Sequence, residues 1–159
     1  MRHGPAEDHA PSGRDFDRKL TAAGRARTEL VARELARREE QPKRIVSSPL
    51  ARTIETAEVV IKALGLHFEP ESREELAPGG NALALVRELA ASGARRVMLV
   101  GHEPDVSRLT ANLLPDWSHG FDKAMVVGLK VERAGLVATP SDEGLARLRF
   151  VVEPKQLGN

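Results

Sequence analysis

Residues 95–114 read RRVMLVGHEPDVSRLTANLL, a run that passes from one kind of chain to another within a few residues. The first part, 95–101, is short, apolar and bounded by arginines and a glycine, which predicts a buried strand. The second part, from Glu103 to Leu114, places apolar residues at helical spacing and carries Pro104 where a helix begins. A buried strand running straight into a helix is the unit of an α/β fold. In an open α/β sheet the carboxyl ends of such strands are where ligands bind, and His102 stands at that junction.

A second junction of the same kind lies upstream. KRIVSS (43–48) predicts a strand, and LARTIETAEVVIKALG (50–65) a helix ending at Gly65, with Pro49 at its first turn and Arg52 in it. Before it, PAEDHAPSGRDFDRK (5–19) reads as a loop, and Thr21 as the N-cap of a helix in which Ala26, Leu30, Val31 and Leu35 fall at helical spacing. ESREELAPGG (71–80) reads as a loop, followed by a helix from Asn81 to about residue 91. KAMVVGLKVE (123–132) and LARLRFVVE (145–153) predict two later strands joined by a glycine-containing turn region. The expectation is an α/β three-layer sandwich, a mostly parallel mixed sheet with helices on both faces, formed by one domain spanning 1–159.

Composition narrows the function. The 159 residues carry 24 basic and 23 acidic side chains for a formal charge of +1, so no bulk attraction draws the chain to nucleic acid or to a membrane. Aromatics are 3% with no tyrosine, which speaks against a base-stacking surface. No apolar run is long enough to cross a bilayer, and the expected address is the cytoplasm. The absence of cysteine excludes disulfides, thiolate metal sites and cysteine nucleophiles. No glycine-rich loop precedes a Lys-Ser or Lys-Thr pair, so P-loop nucleotide binding is unsupported.

The chain opens on Arg2-His3-Gly4. If that stretch joins the two strand-to-helix junctions, Arg2, Arg52, His3 and His102 converge on one anionic pocket, where planar guanidinium forks suit phosphate oxygens. Taken singly, each has a plainer reading: a terminal tail, a solvated helix arginine, a hydrogen-bonded structural histidine.

Taken together, RHG (2–4), LTAAGR (20–25), SSPLARTIETA (47–57) and VMLVGHEP (97–104) resemble the histidine phosphatase superfamily, the group that includes the phosphoglycerate mutases. The short length and EELAPGGN (74–81) resemble its SixA-type phosphohistidine phosphatase branch. The resemblance implies His3 as the nucleophile that accepts the phosphoryl group, with Arg2, Arg52 and His102 around that group. It implies phosphate or sulfate as a pocket ion, no metal and no cofactor. Arg18 stands where such sequences also place an arginine, and reads equally as an exposed loop cation. Ser48 is taken as a helix-start serine, Glu103 as a complement to its helix dipole, and His9, His67 and His119 are given no role.

Mutase and phosphomonoesterase relatives supply a carboxylic acid just after the leucine of the middle loop. Here Ala77, Pro78 and Gly79 occupy that stretch, and Glu75 precedes it as a solvated loop residue that would have to swing in. An imidazole, with a pKa of about 6.5, leaves more readily than an alkoxide and needs less help. The expected substrate is therefore a phosphohistidine-bearing signalling or phosphotransfer protein. The alternatives are a phosphomonoesterase for a small phosphorylated metabolite and a non-catalytic phosphate-binding module. The last arises because the resemblance includes a buried apolar strand leading into Arg-His-Gly, where this sequence has only Met1. That first strand is expected to be missing or truncated, by a start assigned too late or in a shortened form. Its neighbours would then be unpaired and His3 without a rigid mount.

Overall fold

The structure is a computed structural model and describes residues 1–132 and 145–158. The glycine-containing turn region expected between the last two strands lies outside the described residues.

Among the described residues four α-helices and five strands alternate until the last two strands, which follow one another. Helix α1 (Ala22–Arg37) is capped by Thr21, whose side chain accepts from the Gly24 N–H. Strand β1 (Arg44–Ser47) leads into α2 (Ala51–Ala63). The two-residue β2 (Glu71–Ser72) precedes α3 (Ala82–Ala91), capped by the Asn81 side chain. Strand β3 (Val97–Val100) leads into α4 (Asp105–Leu113), and β4 (Val126–Val131) and β5 (Ala146–Val152) follow. Both expected strand-to-helix junctions are present. Pro49 and Pro104 stand just outside their helices, because α2 begins after Leu50 and Pro104 occupies the N-cap position of α4.

Strands β2, β1 and β3 form a parallel sheet in that order, and β4 pairs antiparallel with β5. Alternation along β1 and β3 sends Ile45, Met98 and Val100 to one face, where they meet Val31 and Leu35 of α1 and Ala57 and Val60 of α2. Val46, Val97 and Leu99 go to the other face, against Leu85 and Leu89 of α3 and Leu109 of α4. The mixed sheet with helices on both faces is the expected α/β sandwich. Leu30, counted among the apolar positions of α1, is 47% exposed: its neighbours Val31 and Leu35 take the core-facing side.

Residues 1–3 link the two sheets. Arg2 bridges Gly101 in parallel, the Gly101 N–H donates to the Met1 carbonyl, and the His3 N–H donates to the Gly101 carbonyl. On their other side the Arg2 N–H donates to the Met125 carbonyl and the Ala124 N–H to the His3 carbonyl. His3 is thus fixed through both its backbone groups, and the expected loss of its mount does not occur. Beyond Met1 the sheet opens into a cleft of about 940 Å³, whose walls include Val97, Leu99, Val126 and Leu129. The Met1 ammonium donates to the Leu99 carbonyl and is buried, which pushes its pKa down from 8.0 to about 5.

Candidate active site

Three chain segments carry the site to one end of the sheet: residues 2–4, the Ser47–Arg52 junction and the Gly101–Pro104 junction. The approach is close. A Cβ on Gly4 would lie 2.5 Å from the Thr28 hydroxyl, and one on Gly24 of α1 would lie 1.9 Å from the Pro5 carbonyl oxygen. Both positions need glycine because α1 is pressed against the turn that follows His3. The Gly4 N–H donates to the Thr56 hydroxyl at 3.0 Å, and that hydroxyl donates to the Arg52 carbonyl one helical turn earlier. The segment carrying His3 is in this way pinned to the helix carrying Arg52.

His3, His102 and Arg52 are buried, and Arg2 is half-buried. The two imidazole rings stand 5.3 Å apart, centre to centre, and are tilted by 55°. His3 Nδ1 lies 2.7 Å from the Gly4 carbonyl oxygen. A carbonyl only accepts, so Nδ1 carries the proton and Nε2 keeps its lone pair. Burial drives the His3 pKa from 6.5 down to about 3, with the charges of His102, Arg52 and Arg2 acting in the same direction and the Gly4 hydrogen bond against them. Burial first, and then Arg52 and Arg2, lower His102 to about 4, while Asp15 opposes. Both rings are neutral at pH 7.

His102 Nε2 is 2.8 Å from the Ser48 hydroxyl, which also accepts from the Leu50 N–H. When Ser48 donates its own proton to Nε2, the His102 proton resides on Nδ1, and Nδ1 has no protein partner. The Nε atoms of Arg2 and Arg52 are likewise buried and unpartnered. Three N–H donors of one cluster therefore lack acceptors, and a multivalent oxyanion supplies acceptors.

The remaining arginine contacts are structural. Arg2 donates from Nη1 to the Phe121 carbonyl at 2.7 Å. Arg52 donates to the Asp15 carbonyl at 3.0 Å and to Asp15 Oδ2 at 3.1 Å. Arg18 reaches the cluster only through Asp15: its Nη1 is 2.8 Å from Asp15 Oδ1, and its Nε donates to the Glu7 carbonyl. Glu75 is tied to Arg73 at 2.5 Å; Arg73 also binds Glu88, and the Arg73 hydrogen bond lowers the Glu75 pKa.

The family model of the histidine phosphatase superfamily (branch 1) matches residues 1–77. Phosphohistidine phosphatase SixA of Escherichia coli is 34% identical over 72% of this chain and 72% of its own length. The chain belongs to the histidine phosphatase superfamily. An uncharacterised protein of Picosynechococcus sp. is 35% identical over 99% of this chain and 96% of its own. The structure of protein histidine phosphatase SixA complexed with tungstate superposes with a TM-score of 0.86 at 26% identity, covering 99% of this chain and 97% of that one. This superfamily member is thus a phosphatase of SixA-like architecture.

The structure brings Arg2, His3, Arg52 and His102 together and leaves Arg18 one link outside. Three contributors were not expected: Ser48 as the partner of His102, Thr56 as the acceptor for Gly4, and Asp15 on Arg52. Thr56 had a signal, since Arg52 and Thr56 are four apart and share a helix face. Asp15 had none, because a carboxylate in a charged loop looks like any solvated residue.

Proposed function

We propose that this phosphatase, as a single domain over residues 1–159, removes the phosphoryl group from protein phosphohistidine through a covalent intermediate on His3. The observation that carries the reading is the His3 tautomer: Nδ1–H faces the Gly4 carbonyl, and a neutral Nε2 lone pair shares a cluster with buried Arg52, half-buried Arg2 and a second neutral imidazole. His3 Nε2 forms a bond to phosphorus as the phosphorus–nitrogen bond of the substrate breaks, the electron pair leaving with the substrate imidazole. Water then attacks phosphorus, inorganic phosphate departs, and the lone pair returns to Nε2. Arg2 and Arg52 offset the charge on the equatorial oxygens, and His102 donates through Nδ1–H without needing a positive charge.

Glu75 supports phosphohistidine over an alcohol ester. Held by Arg73 and ionised, it is not a proton donor for an alkoxide. The likeness to SixA proteins supports the same substrate class, a phosphorylated signalling or phosphotransfer protein.

The test is mass spectrometry after rapid mixing with a phosphohistidine protein and an alkaline quench. A transient phosphoryl adduct on the peptide holding His3, absent in His3→Ala, is expected. Parallel turnover of sugar phosphates without turnover of phosphohistidine would replace this reading with a metabolite phosphomonoesterase. Phosphate binding with no turnover of either would leave a binding module.

A further inference from the structure

Arg52 is one of the most buried charges in the protein, yet its outer edge is covered by an acid that lies in water. The Asp15 side chain is 61% exposed against 7% for Arg52. It belongs to a 3₁₀ turn, Asp15–Asp17, that rests on α2 by two bonds to Arg52, one through the main-chain carbonyl and one through Oδ2. The other carboxylate oxygen takes Arg18. Asp15 therefore marks a boundary between the buried cluster and solvent, beside an arginine of that cluster. Its negative charge reaches across the pocket and raises the proton affinity of His102. Among the described residues it is the carboxylate that bears on the histidine pair.

We propose that Asp15 is a catalytic residue that selects an imidazole leaving group, its carboxylate accepting a hydrogen bond from the free ring N–H of the phosphorylated substrate histidine. The inference deepens the proposed function and rests on that reading.

The chemistry follows from the protonation states. The Arg18 hydrogen bond, and then Arg52, lower the Asp15 pKa, so the group is an acceptor and cannot protonate a leaving oxygen. A phosphorylated imidazole needs no such proton when its second nitrogen already carries one. His3 Nε2 attacks phosphorus, the substrate phosphorus–nitrogen bond breaks, and the electron pair returns to the ring. The ring departs as neutral imidazole with its proton still on the second nitrogen. A carboxylate at that nitrogen holds the ring in the cationic form from which departure is easy. The same carboxylate faces a departing alkoxide or phenolate with like charge, and so disfavours it.

The experiment compares Asp15→Asn with wild type on a phosphohistidine peptide and on p-nitrophenyl phosphate. Asparagine keeps one of the two acceptor oxygens, and the Arg52 bond to the main-chain carbonyl of residue 15 is untouched, so the turn keeps an anchor while the charge is removed. The expected result has opposite signs: kcat/KM for phosphohistidine falls about 30-fold, the loss of one charged hydrogen bond, while kcat/KM for the aryl phosphate rises several-fold. An equal fall on both substrates would make Asp15 a loop anchor and overturn the inference. A change on phosphohistidine of less than about twofold would overturn it too. Failure of the parent reading looks different, since wild type would then turn over the aryl phosphate without turning over phosphohistidine, and both ideas fall together.

Discussion

Acidification from pH 7.5 to 5.0 is expected to destabilise the folded chain through bases that the fold buries uncharged. His3 and His102 have folded pKa values of about 3 and about 4, against 6.5 when solvated. The unfolded chain therefore takes up protons in this window and the folded chain does not, so stability falls as pH falls. Integrating between the two pH values gives ~2 kcal/mol for each histidine. The Met1 amine, at about 5 instead of 8.0, adds ~3 kcal/mol over the same window. Carboxylates such as Glu34 and Glu71 have lowered values, so their stabilising effect is present above the ordinary carboxylate range and is lost only at lower pH. The sum of ~7 kcal/mol is a large share of a domain stability of about 5–15 kcal/mol. Urea unfolding across the window measures it. The paired variant His3→Asn, His102→Asn should lose about half of the slope, and sulfate, dianionic throughout, should flatten it by raising both folded pKa values. A wild-type unfolding free energy that stays level from pH 7.5 to 5.0 would refute the reasoning, as would an undiminished slope in the paired variant.

Gly24→Ala should lower stability by ~1–3 kcal/mol, the scale of overpacking, and depress turnover, because the new methyl group meets the Pro5 carbonyl behind His3. A gain in the urea midpoint, as helix propensity alone would give, would show that the close contact yields. Ser48→Ala should cost ~1 kcal/mol of stability by leaving the Leu50 N–H without its acceptor, and should lower kcat roughly tenfold, since it frees His102 Nε2 to take the proton that Nδ1 needs. Steady-state kinetics decide that, and an unchanged kcat would show that the tautomer is set elsewhere. A five-residue valine- and isoleucine-rich extension ahead of Met1 should raise stability by several kcal/mol, on the order of two buried side chains, by lying in the cleft beside β3 and replacing the buried amine with a peptide group. Thermal melts against a glycine-serine extension of equal length test this; equal melting temperatures would mean that the cleft does not accept a strand.

How far the sequence reached depended on whether side chains or backbone made each feature. The β3–α4 and β1–α2 junctions were readable because a β-branched run turns into helical spacing there, which put His102 at a strand end and Arg52 in the first turn of a helix. Strand β2 was read as loop. Its two residues are exposed and are held to β1 by backbone pairing and by an ion pair between Glu71 and Arg44, so no apolar signal marks them. Position in the loop showed that Glu75 was near enough to be considered, but only the structure shows Arg73 holding it through a contact that also engages Glu88 from α3. The mount of His3 was misjudged for the same reason. The first strand is reduced to an isolated bridge at Arg2, as expected, but three residues with partners on both sides suffice to fix the histidine.

The cluster is costly while it is empty. Two guanidiniums and two imidazoles share one buried region, three of their nitrogens have no acceptor, and the nearest compensating charge is an exposed aspartate at its rim. The protein meets this cost by keeping both histidines neutral, which is also the state a nucleophile needs: the burial that lowers the pKa of His3 leaves Nε2 unprotonated. A phosphoryl group entering the cluster brings the missing acceptors and the missing negative charge together. In the proposed mechanism the His3 ring becomes cationic as Nε2 bonds to phosphorus, and the Gly4 carbonyl on Nδ1–H and the incoming oxygens would stabilise that charge. If the pocket expected to make the free protein acid-sensitive is also the one that carries the proposed phosphoryl transfer, the pH dependence of stability and the formation of the His3 adduct should respond together when Arg52 is replaced.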